Sequence, residues 1–261
     1  MTTAVRTRVV RPHLARDTWH VLVRELKPVL RDPFSLIFSL LQPLVFLGLF
    51  GPLLVAQSGG DLAGTLQWFV PGVLVMIVLF GTGATGSNLQ YEMMTGSHER
   101  TLVAPLSRSS LLVGRALKEI APIVVQGLAI VAIALPFGYR ADAFGLLLGL
   151  ALLAVFGVGL GALSYALALA TKEHEWLFWG VQQSLIFPLL ILSGVMLPLD
   201  GGPAWMRAVA SVNPVRHVVE AMRAQLTGDL GATAVLWGWL AATALAVVGL
   251  AVGVRAIRRS S

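Results

Sequence analysis

Six long stretches of this sequence contain no Asp, Glu, Lys, Arg or His, and they constrain the fold more than any other feature. They are Phe34–Gln57, Trp68–Gln90, Ile120–Gly138, Ala143–Ala170, Trp176–Leu197 and Thr233–Val254. A helix needs about 20 apolar residues to cross a bilayer. All 32 charged residues lie outside these stretches, as expected if a charge at mid-membrane costs on the order of 3 kcal/mol. The sequence therefore predicts an all-α polytopic membrane protein with six transmembrane helices.

The composition argues against a soluble enzyme. Hydrophobic residues make up 56% of the chain and charged residues 12%, about half the charged fraction of a soluble domain. Cysteine is absent, which excludes disulfides, thiolate metal sites and a cysteine nucleophile. The first 30 residues are Arg-rich and polar, and they do not predict a cleaved signal peptide.

The distribution of Lys and Arg predicts the orientation. With the N-terminus inside, 15 of these residues are cytoplasmic and four are external, as the positive-inside rule requires. Both termini are then cytoplasmic, and the net charge of +6 reflects topology and contact with anionic lipid in the cell membrane. The predicted parts are a cytoplasmic segment 1–33, a transmembrane domain 34–254 with an internal loop 91–119 and an external segment 198–232, and a basic tail 255–261.

Residues 13–31 are predicted to form an amphipathic helix before the first span. The apolar residues at helical spacing are Trp19, Leu22, Leu26, Val29 and Leu30. The basic residues on another face are His20, Arg24, Lys27 and Arg31. Such a helix can lie among lipid headgroups, dock a cytoplasmic partner, or do both.

Two polar segments contain further helical patterns. The internal segment Tyr91–Lys118 mixes apolar and charged residues, which fits either a connector or a short helix that docks in a partner's groove. In the external segment, Asn213-Pro214 reads as an N-cap followed by a first-turn proline. The residues that follow predict an amphipathic helix, which would be either a lid over an outer exit or a cap that packs the bundle.

Some apparent motifs carry no chemistry. The run Gly81–Gly86 matches G-x-G-x-x-G, but it lies inside a predicted span without a preceding strand, so a helix-packing face is the better interpretation. No P-loop occurs in the sequence, and no metal site is expected, although Glu173-His174-Glu175 is a weak candidate. Gly145, Gly149, Gly157 and Gly161 predict close helix packing, within the bundle or between subunits.

The polar residues inside the spans are amides and hydroxyls that either line a substrate path or bond across helices. The candidates for the path are Gln42, Asn88, Gln126, Gln182, Gln183 and Ser184. Two main function classes remain: a transporter subunit driven by a separate ATPase, and an ion-coupled secondary transporter. The second class usually carries intramembrane carboxylates or histidines, which the six stretches lack. An intramembrane enzyme is disfavoured for the same reason.

Several motifs of this sequence resemble those of type-2 ABC transporter permeases. The hallmark residues are Ser193, Gly194, Pro198, Pro203, Trp205, Asn213, Pro214, Glu220 and Arg223. The internal segment, with Glu99-Arg100-Thr101-Leu102 and Ala104-Pro105-Leu106-Ser107-Arg108, resembles the family's region around its first coupling helix. Arg31-Asp32-Pro33 resembles the family's entry to the first span. Within the family, the similarity is greatest to the daunorubicin-type drug-resistance permeases.

The resemblance implies a half-transporter without its own ATPase site. Two six-span permeases, identical or paralogous, would assemble with two ATP-binding subunits that hold the ATP and Mg. The residues implied in coupling to those subunits are Arg24, Arg31, Glu99, Arg100, Leu102, Pro105, Arg108 and Glu173. The expected activity is export of a hydrophobic drug, antibiotic or lipid, and a lipid-linked polysaccharide is the alternative substrate.

Overall fold

The computed structural model describes residues 14–97, 108–172, 174–199 and 201–259, and it is helical throughout most of them. The described residues form eleven α-helices. They are α1 Leu14–Arg31, α2 Pro33–Gln57, α3 Leu62–Gly81, α4 Gly83–Met94, α5 Arg108–Lys118, α6 Ile120–Ala134, α7 Ala143–Ala170, α8 Glu175–Ile191, α9 Ala204–Ser211, α10 Pro214–Leu226 and α11 Thr233–Arg259. The predicted all-α class is therefore confirmed for these residues.

Five helical stretches within the described residues are long and apolar enough to cross a membrane. They are Ile37–Gln57, Leu62–Met94, Ser109–Phe137, Ala143–Ala170 and Thr233–Arg259. The predicted span Ala143–Ala170 coincides with α7, where Asp142 caps the helix by accepting a bond from the Gly145 amide at 2.6 Å. These five stretches correspond to five of the six spans predicted from the sequence.

The remaining predicted span, Trp176–Leu197, overruns its helix. Helix α8 ends at Ile191 after 17 residues, and a left-handed glycine, Gly194, with a φ of 73°, lies in the turn that follows. The apolar residues Val195 and Leu197 extended the uncharged run beyond the end of the helix. Hydropathy does not register a helix end that backbone geometry imposes, so the helix is shorter than the uncharged run.

Helix α3 lies at the centre of the bundle. All ten residues from Val70 to Leu79 are buried. The helix is apolar on all sides, so its sequence alone does not indicate which residues pack inside the bundle and which face lipid. Helix α7 is the second central element and packs against α11, α4, α10 and α6. Helix α2 is peripheral, and large apolar side chains such as Phe38 and Leu49 are exposed on it.

Glycines allow the central helices to approach at backbone distance. A Cβ added to Gly249 of α11 would lie 2.3 Å from the carbonyl oxygen of Gly159 in α7. A Cβ on Gly145 would lie 1.7 Å from the carbonyl oxygen of Gln225 in α10. Of the predicted glycine face, Gly157 packs on Ile123 of α6. The sequence left open whether the glycines pack within the bundle or between subunits, and these contacts lie within the bundle.

The bundle has two distinct ends. At the end that we call the α1 end, Val21, Leu112 and Ile257 belong to one apolar cluster. Helix α1 approaches α5 closely there, since a Cβ on Gly114 would lie 2.7 Å from Val21. At the opposite end, which we call the α10 end, α10 packs against α3, α7 and α11.

Helix α1 forms as predicted, but its inward face differs from the predicted apolar stripe. Asp17 and Val21 are buried and Glu25 is largely covered, whereas Trp19 is 62% exposed. The predicted basic face is confirmed as exposed, since His20, Arg24, Lys27 and Arg31 all lie on the outside. The inward face of α1 is rotated relative to the predicted apolar stripe. Charged partners on α5, as well as apolar contacts, determine which residues of α1 are buried.

Two further boundaries differ from the sequence prediction. The predicted internal loop 91–119 contains the end of α4 and all of α5, and the tail 255–261 is helical as far as Arg259. Helix α10 was predicted to be either a lid or a cap that packs the bundle, and its packing agrees with the cap, since the five apolar positions that define its inner face are each at most 1% exposed. These are Val215, Val218, Val219, Met222 and Leu226. The helix is thus an integral part of the bundle's packing.

Candidate transport site and coupling surface

A cavity of about 560 Å³ opens between α1, α2, α3, α4, α6 and α8 in the half of the bundle next to the α1 end. Its polar lining includes Asp32, Ser39, Ser87, Lys118 and Glu119. Its apolar lining includes Met76, Ile77, Phe80, Ile123 and Trp179. A concave, mostly apolar site with a few polar groups is the usual form of a small-molecule site.

Three of the six predicted path residues line this cavity. They are Gln42 of α2, Asn88 of α4 and Gln126 of α6. The three helices that carry these amides are distant in sequence, and the bundle brings their side chains around one space. The amides give the cavity hydrogen-bonding groups in addition to its charged residues.

The other three predicted path residues are not among the residues that line the cavity. Gln182 is buried, accepts a bond from the Ser164 hydroxyl at 3.4 Å and packs against Gly83, where a Cβ would lie 2.0 Å from its amide nitrogen. Gln183 is half-buried and Ser184 is exposed. Gly86 also has no room for a side chain, because its Cβ would lie 2.6 Å from the Ser164 carbonyl oxygen. The helix-packing interpretation of the glycine run Gly81–Gly86 is confirmed at Gly83 and Gly86.

A cluster of charged side chains lies beside the cavity at the α1 end. Arg115 of α5 has a side chain only 4% exposed, and it forms an ion pair with Glu92 of α4. The Nε atom of Arg115 also lies 3.4 Å from Glu25 Oε1 of α1. The guanidinium stands 5.6 Å from the ring centroid of Tyr165 in α7. Arg115 therefore joins four helices through one side chain.

Three of the predicted coupling residues are described by the structure, and one of them, Arg24, contacts this cluster. Arg24 is half-exposed and pairs with its neighbour Glu25 at 3.0 Å, and Arg31 is exposed at the end of α1. Arg108 begins α5. The others, Glu99, Arg100, Leu102, Pro105 and Glu173, lie outside the described residues. The segment 98–107 is thus flanked by α4 and α5, the two helices that supply Glu92 and Arg115.

The family hallmark residues meet at the α10 end. Asn213 caps α10 by accepting a bond from the Val215 amide at 3.0 Å, and its side-chain nitrogen donates to the Leu189 carbonyl of α8 at 2.8 Å. Ser193 closes the end of α8 by donating to the Leu190 carbonyl at 2.6 Å. Pro214 is the first residue of α10, as predicted, and Pro198 is exposed. Ser193-Gly194 thus ends α8 and Asn213-Pro214 starts α10, and the side chain of Asn213 joins the two helices.

Arg223 is the second connection at this end. Its Nε donates to the carbonyl oxygen of Trp68 at 3.0 Å, and a terminal nitrogen donates to the carbonyl oxygen of Gly194 at 2.9 Å. Burial lowers the pKa of Arg223 to about 10, partly opposed by the charge of Glu220, so the guanidinium remains charged at neutral pH. Glu220 itself pairs with Arg216 at 2.7 Å. Arg223 therefore bonds two backbone carbonyls, one in α3 and one in the turn after α8.

Sequence reasoning missed the buried charges of the α1 end. Glu25 lay in the predicted amphipathic helix, and Glu92, Arg115 and Lys118 lay in the predicted internal loop, but none of them was expected to be buried. Glu119 was left outside the third span. A signal existed in α5, where Leu111, Leu112 and Arg115 share one helical face at a spacing of three and four residues. That spacing places Arg115 on the side that packs against the bundle.

The part of the chain that the structure describes contains no group of three or more His, Asp or Glu side chains arranged to hold a metal ion. His174 of the weak candidate Glu173-His174-Glu175 lies beside Trp176, with 6.2 Å between the ring centroids, and Glu173 is outside the described residues. His217 lies near Trp237 at 6.2 Å, at the other end of the bundle.

Comparison with known proteins places these features in one family. Residues 16–227 match the ABC-2 type transporter family. A daunorubicin resistance ABC transporter permease protein of Streptomyces coeruleorubidus is 30% identical over 201 residues, which cover 76% of this chain and 71% of the relative. A putative transport permease of Cyanophora paradoxa is 32% identical over 74% of this chain and 68% of its own length. A probable multidrug ABC transporter permease of Escherichia coli is 25% identical over 59% of this chain and 42% of its own length.

Membrane-length apolar helices packed around a cavity define a multi-pass membrane protein. The chain belongs to the ABC-2 type transporter family. The resemblance noted in the sequence is confirmed at this level, and the hallmark residues now have defined contacts at the α10 end.

Proposed function

We propose that this chain is the membrane subunit of an ATP-driven exporter, which moves a hydrophobic drug, antibiotic or lipid across the cell membrane. Family membership over residues 16–227 carries the proposal. The names of two relatives refer to daunorubicin resistance and to multidrug transport, which supports a drug-like substrate. The mostly apolar cavity with its amides supports the same class of substrate.

The proposed topology has six crossings with both ends in the cytoplasm. Helix α8 is short, about 25 Å at 1.5 Å per residue, yet it runs between the two ends of the bundle. It follows Thr171, whose hydroxyl accepts a bond from Gln90 at 3.1 Å, and near its other end Leu189 contacts Asn213. The packing of Ile257 with Val21 supports termini on one side, and the excess of Lys and Arg supports the cytoplasm for that side.

The proposed partner is a separate ATP-binding subunit, and a second permease copy or paralogue completes the transporter. The proposed docking residues are those of the exposed basic face of α1 and of the segment 98–107, together with Glu173. Arg115 supports this arrangement because it connects α4 and α5, which flank that segment, to α1 and α7. Motion imposed on the docking segment is thereby passed to helices that border the cavity. The ATP and Mg belong to the partner, which performs the hydrolysis.

The first experiment co-expresses the chain with a candidate P-loop ATP-binding protein, sought first in the neighbouring reading frames, and measures co-purification and ATP hydrolysis. Arg100→Glu is expected to lower both, because it reverses a charge in the proposed docking segment. Arg259→Glu is the matched control, because Arg259 is an exposed arginine at the C-terminal end of α11 and is not part of the proposed docking segment. Specific ATP binding by the permease alone, or an Arg100→Glu complex that forms and hydrolyses ATP normally, contradicts the proposal.

The second experiment tests the path in reconstituted vesicles. Asn88→Leu and Gln42→Leu remove amides from the cavity and are expected to reduce transport of a fluorescent hydrophobic dye without loss of the ATP-binding subunit. Gln183→Leu is the control, because Gln183 is a half-buried amide that does not line the cavity. An equal loss of transport in all three variants would contradict the proposal that the cavity is part of the transport path.

An ion-coupled carrier is the second candidate because of Glu119. Sequence reasoning disfavoured this class for lack of intramembrane carboxylates, but Glu119 is 4% exposed and lines the cavity at the start of α6. Vesicles with a pH gradient and no ATP separate the two functions. Transport that follows the gradient supports the carrier, whereas transport that requires ATP and the partner supports the exporter.

A further inference from the structure

The charges near the cavity are unevenly paired. Two buried cations lie at the α1 end, and both have carboxylate partners: Arg115 pairs with Glu25 and Glu92, and Lys118 Nζ lies 4.0 Å from Glu25 Oε2. Glu119 is adjacent to Lys118 in sequence, yet among the described residues it belongs to none of these ion pairs. The charge of Lys118 acts on Glu119, but within the described part of the chain no cation lies at ion-pair distance from this buried carboxylate on the cavity wall.

Glu119 occupies a position that the fold has shaped for it. Its carboxylate accepts a hydrogen bond from the Thr85 hydroxyl of α4. On the other side is Gly161 of α7, where an added Cβ would lie 3.4 Å from Glu119 Cγ and 3.5 Å from the Thr85 hydroxyl oxygen. A larger residue at this point of α7 would press on both side chains. The contacts from α4 and α7 hold the carboxylate at the wall of the cavity.

The rest of the wall suits a bulky apolar body. Met76, Ile77 and Phe80 of α3 and Trp179 of α8 line the same cavity as Glu119. Phe80 packs edge-on against Phe187 with 6.1 Å between the centroids, which braces its ring. Aromatic faces attract organic cations as well as apolar groups, and a buried charge is retained when it is paired. A ligand that carries one positive charge on an aromatic or aliphatic frame satisfies both kinds of lining.

We infer that the cavity is a binding site for amphipathic organic cations, in which Glu119 pairs with the positive charge and Phe80 and Trp179 contact the apolar frame. The inference rests on the proposed export function and narrows its substrate class from hydrophobic compounds to cationic ones. Lys118 and Asp32 also line the cavity. The ammonium of Lys118 is within ion-pair distance of Glu25 and Asp32 is exposed, so Glu119 is the buried carboxylate that selects the charge of the ligand.

Two probes of the same shape and opposite charge test this inference, tetraphenylphosphonium and tetraphenylborate. The complex of the full chain with its ATP-binding subunit is placed in lipid nanodiscs, and binding of the phosphonium is followed by equilibrium dialysis. Empty nanodiscs are subtracted to remove partition into lipid. The phosphonium is expected to bind saturably and tetraphenylborate is expected not to displace it. Equal binding of the two ions by the wild-type complex, or a preference for the anion, overturns the inference without need of any variant.

Variants then assign the selectivity to one carboxylate. Glu119→Gln is expected to weaken phosphonium binding by about tenfold or more, since it removes the charge that pairs with the ligand. Glu119→Asp keeps the charge and is expected to retain most of the affinity. Glu220→Gln is the matched control, because Glu220 pairs with Arg216 at the α10 end. Unchanged affinity in Glu119→Gln overturns the inference and indicates a carboxyl group that carries its own proton.

The same preparation separates this inference from the proposed function. Co-purification of the ATP-binding subunit and ATP hydrolysis are measured alongside dialysis. An intact, ATP-hydrolysing complex that does not discriminate between the two ions contradicts only the charge selectivity. A chain that never forms the complex contradicts the export function itself, whatever it binds.

Discussion

The guanidinium carbon of Arg223 lies 4.2 Å from the ring centroid of Trp68, and the same side chain donates to the carbonyl oxygen of Trp68. The two residues are 155 positions apart in sequence. Arg223 belongs to the family hallmark, and Trp68 lies near the start of the central helix α3. With its second bond to Gly194, the arginine holds α10 against α3 and the turn after α8. Arg223 thus joins three elements of the fold at the α10 end.

Arg223→Lys is expected to destabilise the protein although it conserves the charge. A lysine ammonium cannot stack as a plane on Trp68 and also reach the Trp68 and Gly194 carbonyls. Leaving a buried carbonyl unsatisfied costs about 1–3 kcal/mol, which should appear as a lower Tm of the purified protein in detergent. Arg216→Lys is the control, because an i,i+4 surface pair contributes about 0.3–0.5 kcal/mol. The same Tm for both variants would contradict a special role for Arg223.

Glu92→Gln is expected to destabilise the α1 end. The change leaves Arg115, with a side chain 4% exposed, short of one of its two carboxylate partners. Breaking a buried ion pair costs up to about 3–5 kcal/mol, because it leaves a buried charge without its partner. Thermal unfolding should therefore rank Glu92→Gln below the wild type. Arg24→Gln, at a half-exposed pair, is the control, and an equal effect there would show that the cluster is not special.

Gly249→Ala and Gly48→Ala make the same chemical change at two helical sites, but only Gly249→Ala should destabilise the protein. The new Cβ at Gly249 meets the Gly159 carbonyl oxygen at 2.3 Å, whereas the Cβ at Gly48 meets nothing within 4 Å. Overpacking typically costs about 1–3 kcal/mol, and a glycine in an open helix loses up to about 1 kcal/mol relative to alanine. Tm measurements should show a decrease for Gly249→Ala and no decrease for Gly48→Ala. A tolerated Gly249→Ala would show that α7 and α11 lie further apart.

The absence of cysteine makes the chain a clean background for labelling experiments on orientation. Single cysteines replace Lys172 and Arg259 at the α1 end, and Gln57 and Thr233 at the α10 end, all of them exposed. In intact cells, a maleimide that cannot cross the membrane is expected to label only positions 57 and 233. After permeabilisation all four should react. Labelling of position 172 before permeabilisation would reverse the proposed topology and place the docking surface outside the cell.

Uncharged runs and helix signals predicted the parts of the fold that depend on local sequence. The bounds of α7, the N-cap at Asn213 and the inner face of α10 all agree with the structure, because each follows from hydropathy, capping or helical period. The end of α8 was misplaced, since it depends on the turn at Gly194 and leaves the uncharged run unbroken.

The candidate site was only partly predictable, because a sequence does not show which helices are neighbours. Gln42, Asn88 and Gln126 were recognised as polar groups in apolar runs, and the bundle gathers them around one cavity. Gln182 belongs to the same pattern, yet it packs against Gly83 instead. Arg115 was assigned to a loop by its charge, although its partners Glu25 and Glu92 come from two other helices.

The contact between Gly159 and Gly249 has a mechanical consequence. With backbone against backbone, α7 and α11 have no side chains between them that could exchange rotamers and let one helix slide on the other. In the export cycle proposed above, this pair is expected to keep its packing. The helices α2 and α8, which border the cavity and are thinly packed, are then the expected moving parts.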